Sequence, residues 1–171
     1  MNKKINTVCF GEVLFDNFPT HSKIGGAPLN VALRLASYGL NTAIISSVGE
    51  DQSGNKIINY LKRSGVNTKY LSQQGQYPTG EVNVVLNDKG IASYDIAYPA
   101  AWDKIIEDKC QLTILKDCDF FVYGSLVCRD TVSRATLKSL LSLARYKVFD
   151  VNLRVPHYTN KLLNLPIFIR S

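Results

Sequence analysis

Long apolar segments are missing from this sequence. No stretch approaches the roughly 18 consecutive apolar residues of a membrane-spanning helix. The apolar run in the opening "MNKKINTVCFGEV" is too short and too soon interrupted to resemble a signal peptide. Apolar residues nevertheless make up 46% of the 171 residues and charged residues 20%. This composition predicts a soluble, globular chain that is long enough for one domain with a substantial core.

Cysteine and histidine are sparse, with four and two copies. The cysteines, Cys9, Cys110, Cys118 and Cys128, show no CxxC spacing and have no histidine at the spacing of a metal ligand. A zinc site and a disulfide framework are therefore disfavoured. We expect reduced thiols, as in a cytoplasmic protein, and no metal site built from these residues.

Long basic runs are also absent, although the net charge is +6. The longest are the pairs Lys3-Lys4 and Lys62-Arg63, and no aromatic residues alternate with a basic stripe. Nucleic acid and anionic membrane surfaces are therefore disfavoured as partners, and a solvated surface is the better interpretation. A piece of a larger protein could carry the same excess of charge.

Strand and helix signals alternate along the chain. Short apolar runs predict strands in "INTVCFGEVL", "NTAIISSVG", "DFFVYGS" and "KVFDVN". Helical periodicity predicts helices over residues 28–38, 51–64 and 131–145. The inward residues should be Ile57, Ile58 and Leu61 in the second helix, and Val132, Ala135, Leu140, Leu141 and Ala144 in the third. Strands separated by helices of this length indicate a parallel α/β sheet.

One region departs from this alternation. Residues Thr79–Ala97 have two partly alternating arms around the turn Asn87–Gly90, which predicts a β-hairpin. An antiparallel hairpin within an α/β chain should project from the main sheet as a flap or a small second layer. The segment Phe15–Ile24 could add to that layer.

Three segments should meet at the carboxyl ends of the strands, where open parallel sheets bind their ligands. They are residues 11–16, 124–129 and 150–154, and the loop with Gly25 and Gly26 can join them.

The stretch "KIGGAPLNVALRLASYG" suggests what this place holds. Gly25 and Gly26 have no side chain, so backbone can approach a ligand closely, and the helix behind them offers N–H groups. Asn30 carries donors and an acceptor, and an ionised Asp16 accepts hydrogen bonds from two hydroxyl groups. Together they suit a polyhydroxylated small molecule.

Plainer interpretations stay open for each of these residues. Asp16 could start a turn, Asn30 could be a solvated helix residue, and the two glycines could form an ordinary loop. A dinucleotide site is disfavoured, because GxGxxG spacing is absent and the glycines lie far beyond the first strand.

At these residues the sequence resembles the ribokinase-like (PfkB) carbohydrate kinases, and most closely their fructokinase branch. The matching pieces are "GEVLFDNFP", "GGAPLNVALRLASYGL", "SSVGEDQSGNKIINYLKRSGVNTKYL", "PTGEVNVVLNDKGIASYDI", "YPAAWDKI", "FVYGSLVCR" and "FDVNLRVPHY". They cover about residues 5–158 in family order. The resemblance implies a doubly wound, mostly parallel sheet, here incomplete, with a projecting β-hairpin lid from segments of about residues 15–24 and 77–98.

The resemblance also implies an activity and a site. Family members transfer a phosphoryl group from ATP, with Mg²⁺, to a sugar hydroxyl, and the lid often forms a dimer contact. The positions that match substrate-binding residues are Asp16, Gly25, Gly26, Asn30, Tyr94, Ile96, Ser125, Arg129 and Arg154. For Arg129 and Arg154, surface salt bridges are a close second interpretation, and Asp51 in the VGxDxxG motif is better explained as a helix cap.

The resemblance also has a gap. The GAGD motif, whose aspartate is the catalytic base in relatives, and the NxxE motif are absent from the sequence, so no catalytic residue is assigned and the ATP and Mg²⁺ sites are largely missing. We expect the amino-terminal half of a sugar kinase, inactive alone, with a truncated or frame-shifted gene as the simplest explanation. The alternatives are a non-catalytic sugar-binding or lid-mediated interaction module and one half of a split kinase. Fructose is favoured, but other ketoses, nucleosides and keto-deoxy acids stay open.

Overall fold

The computed structural model describes residues 4–86 and 92–153. The strands of this part of the chain are β1 (Asn6–Phe10), β2 (Leu14–Asn17), β3 (Ser22–Gly25), β4 (Asn41–Gly49), β5 (Leu71–Gln74), β6 (Gly80–Leu86), β7 (Ala92–Ile96), β8 (Phe120–Gly124) and β9 (Tyr146–Asp150). The helices are α1 (Ala27–Ser37), α2 (Gln52–Arg63), α3 (Lys109–Lys116) and α4 (Thr131–Leu141). Short 3-10 turns lie at Ala101–Lys104 and Leu126–Arg129.

The main sheet has five parallel strands in the order β5-β4-β1-β8-β9. Alternate residues of a strand face opposite sides, so each side of this sheet carries its own apolar cluster. Phe10 and Ile45 belong to one cluster, and Cys9 and Ile44 belong to the other. The mixed α/β architecture with a mostly parallel, open sheet confirms the predicted fold class.

The second sheet has four strands in the order β3-β2-β6-β7. β6 and β7 pair antiparallel, as the hairpin prediction requires, and β2 and β3 pair antiparallel beside them. The contact between β2 and β6 is parallel. The predicted hairpin turn at residues 87–90 lies outside the described residues. Leu14, Val82 and Ile96 pack into the same apolar cluster as Phe10, so the second sheet covers one side of the main sheet.

The first two helices closely follow their predicted bounds. α1 begins after Gly26, whose φ of 115° suits glycine, and Gly39 with φ 83° follows its end. α2 begins at an N-cap, Asp51, which accepts a hydrogen bond from the Gly54 N–H, as predicted. Of its predicted inward residues, Ile57 and Leu61 are fully buried.

The prediction for the last helix is partly wrong. α4 ends at Leu141, four residues earlier than expected, and Val132 and Ala135 are exposed although we placed them inward. Leu140 and Leu141 are buried as predicted.

Two small hydroxyl residues explain why α4 buries a different face from the one that its apolar residues predicted. The Ser133 hydroxyl donates to the carbonyl oxygen of Trp102 at 2.8 Å, and the Thr136 hydroxyl donates to that of Ile105 at 2.7 Å. Both side chains are buried, and they satisfy carbonyl groups that would otherwise lose their hydrogen bonds inside the protein. Because of these hydrogen bonds, the face of α4 with Ser133 and Thr136 is buried, rather than the face with Val132 and Ala135.

Two elements were missed. β5 has the sequence LSQQ, which lacks apolar alternation and is ordered by pairing with β4. α3 is only eight residues long and begins at a capping box formed by Asp108 and Gln111.

Two further expectations can be compared with the structure. All four cysteine thiols are free. No helix in residues 4–86 and 92–153 combines the length and the apolar character needed to cross a membrane.

Candidate functional site

A pocket of about 330 Å³ lies between the carboxyl ends of the main sheet and the second sheet. Each of the three predicted segments contributes to it, and so does the start of α1. Its lining residues are Glu12, Leu14, Asp16, Phe18, Gly26, Ala27, Asn30, Val82, Tyr94, Ile96, Gly124, Ser125, Leu126, Asp150 and Asn152.

Asp16 and Gly25 meet across a pair of strands. Asp16 lies on β2 and pairs with Lys23 of β3, and Gly25 ends β3 against Leu14. A Cβ atom at Gly25 would overlap the Oδ2 atom of Asp16. The missing side chain of Gly25 therefore makes room for the carboxylate that lines the pocket.

Gly26 allows a second close approach. A Cβ atom here would overlap the carbonyl oxygen of Glu12. One of the N–H groups that we expected the helix to offer a ligand is already used, because the Ala27 N–H donates to Glu12 Oε1 at 3.2 Å. The hydrogen bond and the close approach hold two features against the segment that follows β1. They are the start of α1 and the turn at Gly25 and Gly26, here called the glycine turn.

Asn30, Tyr94 and Ile96 reach the pocket from two sides. Asn30 stands on the first turn of α1, its side chain is exposed, and its own N–H donates to the Gly26 carbonyl. Tyr94 and Ile96 share one side of β7, with Tyr94 partly exposed and Ile96 buried. The pocket therefore combines an amide and a phenol with an apolar wall.

Ser125 lines the pocket on the side of the main sheet. It follows β8, is 4% exposed, and donates its hydroxyl hydrogen to the Asn152 carbonyl at 3.0 Å. This bond joins the loop after β8 to the loop after β9.

Arg129 is not brought to the pocket. Its guanidinium group makes two 2.8 Å bonds to the carboxylate of Asp103 and donates to the carbonyl oxygens of Ile96 and Ala97. It also lies 4.2 Å over the ring of Trp102. An ion pair, the alternative considered from sequence, thus occupies this side chain, but the pair is buried rather than superficial. Arg154 lies outside the described residues.

The electrostatics of the pocket are acidic. Glu12, Asp16 and Asp150 line it, whereas no Lys or Arg does so among the described residues. Burial raises the pKa of Glu12 to about 7, and nearby Asp150 adds to the rise. The hydrogen bond from Ala27 and the charge of Arg129 lower this pKa only in part. Glu12 therefore has a substantial neutral fraction near pH 7.

Glu12 is the main residue that sequence reasoning missed. It is 4% exposed, and its Oε2 atom has no hydrogen-bond partner. The sequence did contain a signal, because Glu12 lies inside the apolar stretch "VCFGEVLF". Burying a carboxyl group is costly, so a buried one often has a specific role. Phe18, stacked on His21 at 4.8 Å, was missed as well.

A larger cavity of about 530 Å³ lies at the opposite, amino ends of the strands. Its polar groups largely bind one another: Asn41 donates to Asn6 Oδ1, and Asn6 donates to the Asp117 carbonyl.

Comparison with known proteins places these features in a family. The model of the "pfkB family carbohydrate kinase" matches residues 3–166. A curated relative, the "Probable fructokinase-6, chloroplastic" of Arabidopsis thaliana, is 30% identical over 166 residues, which are 87% of this chain and 43% of that protein. The chain spans about half the length of the curated relatives that it matches.

Solved structures agree with this likeness. The fructokinase of Halothermothrix orenii has a TM-score of 0.82 at 23% identity, with 91% of this chain and 60% of that chain covered. An uncharacterized sugar kinase of Pyrococcus horikoshii, solved in complex with ATP, has a TM-score of 0.78 at 25% identity, with 90% and 55% covered. With the family match over most of its length, the chain belongs to the pfkB family of carbohydrate kinases.

Proposed function

We propose that residues 1–171 form the sugar-binding part of a fructokinase-like carbohydrate kinase, and that the sugar binds in the pocket beside Asp16. The observation that carries this proposal is the fit between Asp16 and Gly25, where the missing Cβ makes room for a carboxylate at the pocket wall. The names of the relatives, which include several fructokinases, support the substrate class.

The lining residues suit hydroxyl groups. An ionised Asp16 accepts hydrogen bonds from two neighbouring hydroxyls, and Asn30 both donates and accepts. Gly26 keeps the wall free of a side chain, and Ile96 offers an apolar surface to the carbon face of a sugar. We therefore assign these four residues to substrate binding, together with Gly25, Tyr94 and Ser125.

The charge of the pocket favours an uncharged sugar. A keto-deoxy acid would bring its carboxylate close to Asp16 and Asp150, and no described lining residue carries a compensating positive charge. Arg129 is already paired with Asp103. Fructose or a similar ketose is thus the preferred substrate class over a sugar acid.

The same acidic lining does not fit ATP. A triphosphate needs cationic side chains or a metal ion, and no group of three or more potential ligands for a metal ion occurs in residues 4–86 and 92–153. The sequence also contains no GAGD motif. We propose that nucleotide binding and phosphoryl transfer need groups beyond these residues.

The test of the sugar site is calorimetric titration with fructose. Replacing Asp16 by Ala removes a charged hydrogen-bond acceptor, which should weaken binding by about 1.5–3 kcal/mol. The control is Asp95→Ala, which removes an exposed carboxylate on the same sheet outside the pocket. Equal fructose binding by the parent and Asp16→Ala would place the site elsewhere.

The test of catalysis is ATP turnover with fructose, ribose and keto-deoxygluconate, using protein free of host sugar kinases. We expect no sugar-dependent ADP release, because a catalytic base is worth about 10²–10⁴ in rate and an anion-hole donor about 10²–10³. Turnover that disappears in Asp16→Ala would overturn this expectation.

A second candidate is a non-catalytic sugar-binding or lid-mediated interaction module, favoured by the half-length match to relatives. The third possibility is one half of a split kinase. Adding a separately expressed carboxyl-terminal half distinguishes them: restored turnover indicates a split kinase, and sugar binding without turnover indicates a module. We keep the cytoplasm as the proposed compartment, supported by the four free thiols.

A further inference from the structure

Glu12 combines burial with an unsatisfied polar atom at the proposed sugar pocket. It lies directly after β1, is 4% exposed and is one of the pocket's lining residues. Its Oε1 atom accepts from the Ala27 N–H, whereas its Oε2 atom has no partner. Such groups are rare in folded proteins and usually have a specific role.

The carboxyl group also supports the glycine turn. Its Oε1 atom accepts a hydrogen bond from the first residue of α1, and the carbonyl oxygen of Glu12 lies too close to Gly26 for a Cβ atom to fit there. Glu12 therefore connects the end of β1, the glycine turn and the start of α1. A change in its charge acts on the geometry of this corner of the pocket.

Burial is the main cause that disfavours the Glu12 carboxylate, and the charged groups around it modify this balance. Asp150, at the end of β9, disfavours the carboxylate, and Asp16 on β2 adds a third acidic group to the pocket. Arg129 favours the carboxylate, but its guanidinium bonds go to Asp103. The Cys128 thiol, whose pKa burial raises to about 12, stays neutral and does not compensate the charge.

Ligand binding shifts this balance further. The Oε2 atom of Glu12 is buried, so the hydroxyl groups of a bound sugar do not reach it as they reach Asp16. A sugar that fills the pocket therefore displaces water without adding a hydrogen bond or a positive charge at Glu12, and it increases the cost of a carboxylate there. By linkage, the protonated form then binds the sugar more tightly than the ionised form. The proton comes from the solvent and adds to a carboxylate oxygen.

We propose that Glu12 is a positioning residue of the sugar pocket, and that an uncharged sugar binds best to the form in which the Glu12 carboxyl group carries a proton. This inference rests on the proposed sugar site. It makes binding pH-dependent in the neutral range, with uptake of up to one proton for each sugar bound.

The experiment is calorimetric titration of the full chain with fructose in phosphate and in Tris buffer at about pH 7.5, followed by a pH series. The dependence of the binding enthalpy on buffer ionisation should show proton uptake, and affinity should fall by up to about tenfold per pH unit above pH 7. Glu12→Gln keeps a neutral group of the same shape, so it should bind fructose without proton uptake or pH dependence in this range. The control Glu107→Gln, at an exposed position outside the pocket, should behave like the parent.

Each outcome decides a separate question. The absence of fructose binding by the parent overturns the proposed function and this inference with it. Fructose binding without proton uptake, or equal uptake in Glu12→Gln, overturns this inference alone. If Glu12→Gln does not fold, difference infrared spectra of the parent decide: fructose should increase the protonated-carboxyl band at the expense of the carboxylate band, and no change overturns the inference.

Discussion

At the scale of single residues, Arg129 shows how a charged side chain can serve the site without entering it. It forms a bidentate ion pair with Asp103, which is completely buried, and lies over the ring of Trp102. Its remaining hydrogen bonds go to the carbonyl oxygens of Ile96, the last residue of β7, and Ala97, the residue after it. Arg129 thus holds in place the strand end that carries Ile96 into the pocket.

Removing this guanidinium group should be costly. Arg129→Met leaves the carboxylate of Asp103 buried without a charged partner, so we expect the free energy of unfolding to fall by about 3–5 kcal/mol. Urea unfolding measures the loss. The double variant Arg129→Met/Asp103→Leu should recover part of it, because no unpaired charge remains. The control Arg145→Met, at an exposed position, should change stability by about 0.5–1 kcal/mol at most. A similar small loss in Arg129→Met would contradict the structural role of the pair.

At the scale of elements, Asp51 joins a helix of the main sheet to the second sheet. Its carboxylate accepts from the Gly54 N–H at 2.7 Å as the cap of α2. It also accepts from the N–H and the hydroxyl group of Thr79 at 2.8 and 2.7 Å, one residue before β6. Burial alone would raise the pKa of Asp51, but these bonds outweigh it and lower the pKa below its usual range.

Asp51→Ala should therefore lower the free energy of unfolding by more than the loss of an ordinary helix cap does. Capping residues contribute about 0.5–2 kcal/mol, and we expect the upper end of this range from urea unfolding. Asp108→Ala is the matched control, since Asp108 caps α3 by the same bond to Gln111 but does not reach the second sheet. Asp51→Ala costing no more than this control would refute the link between the two elements.

The same aspartate predicts a pH dependence. Because its pKa is lower in the folded than in the unfolded chain, its stabilisation is present above about pH 4 and is lost as the pH falls through the folded value. The difference in stability between the parent and Asp51→Ala should narrow in acid. A difference that stays constant from neutral pH to about pH 3 would argue against an ionised cap.

At the scale of the whole molecule, the main sheet ends at an open edge within the described residues. β9 pairs with β8 on one side only, and Tyr146, Val148 and Val151 are 51%, 45% and 59% exposed. Unpaired strand edges with apolar side chains promote pairing with other chains. The second sheet offers another apolar position at Val85, which is 57% exposed.

We therefore expect this chain to associate into dimers or larger species at micromolar concentration. Val148→Lys places a charge on the edge strand and should shift the chain toward the monomer in light scattering. Val85→Lys is the matched variant on the second sheet. If only this variant shifts the chain toward the monomer, association occurs through the hairpin of β6 and β7 instead. A monomeric parent chain would contradict both modes of association.

Local sequence was sufficient for much of the fold. α1 is delimited by Gly26 and Gly39, and α2 by Asp51 and Gly65, because caps and glycines act within a few residues. The short apolar segment Ala43–Ile45 was enough to predict β4. The order of these elements indicated the parallel sheet. The two glycines and Asp16 also predicted the place that we propose as the ligand site, since strand ends converge at one edge of such a sheet.

Tertiary structure alone determined the features that depend on contacts between residues distant in sequence. The partner of Arg129 is 26 residues away, the buried face of α4 depends on carbonyl groups about 31 residues away, and β2 pairs with β6 across more than sixty positions. The neutral fraction of Glu12 likewise arises from burial by several elements and from Asp150, near the far edge of the sheet. Periodicity records which side of an element is apolar, but desolvation and long-range hydrogen bonds exist only once the chain has folded, so the electrostatics of the site could not be read from the sequence.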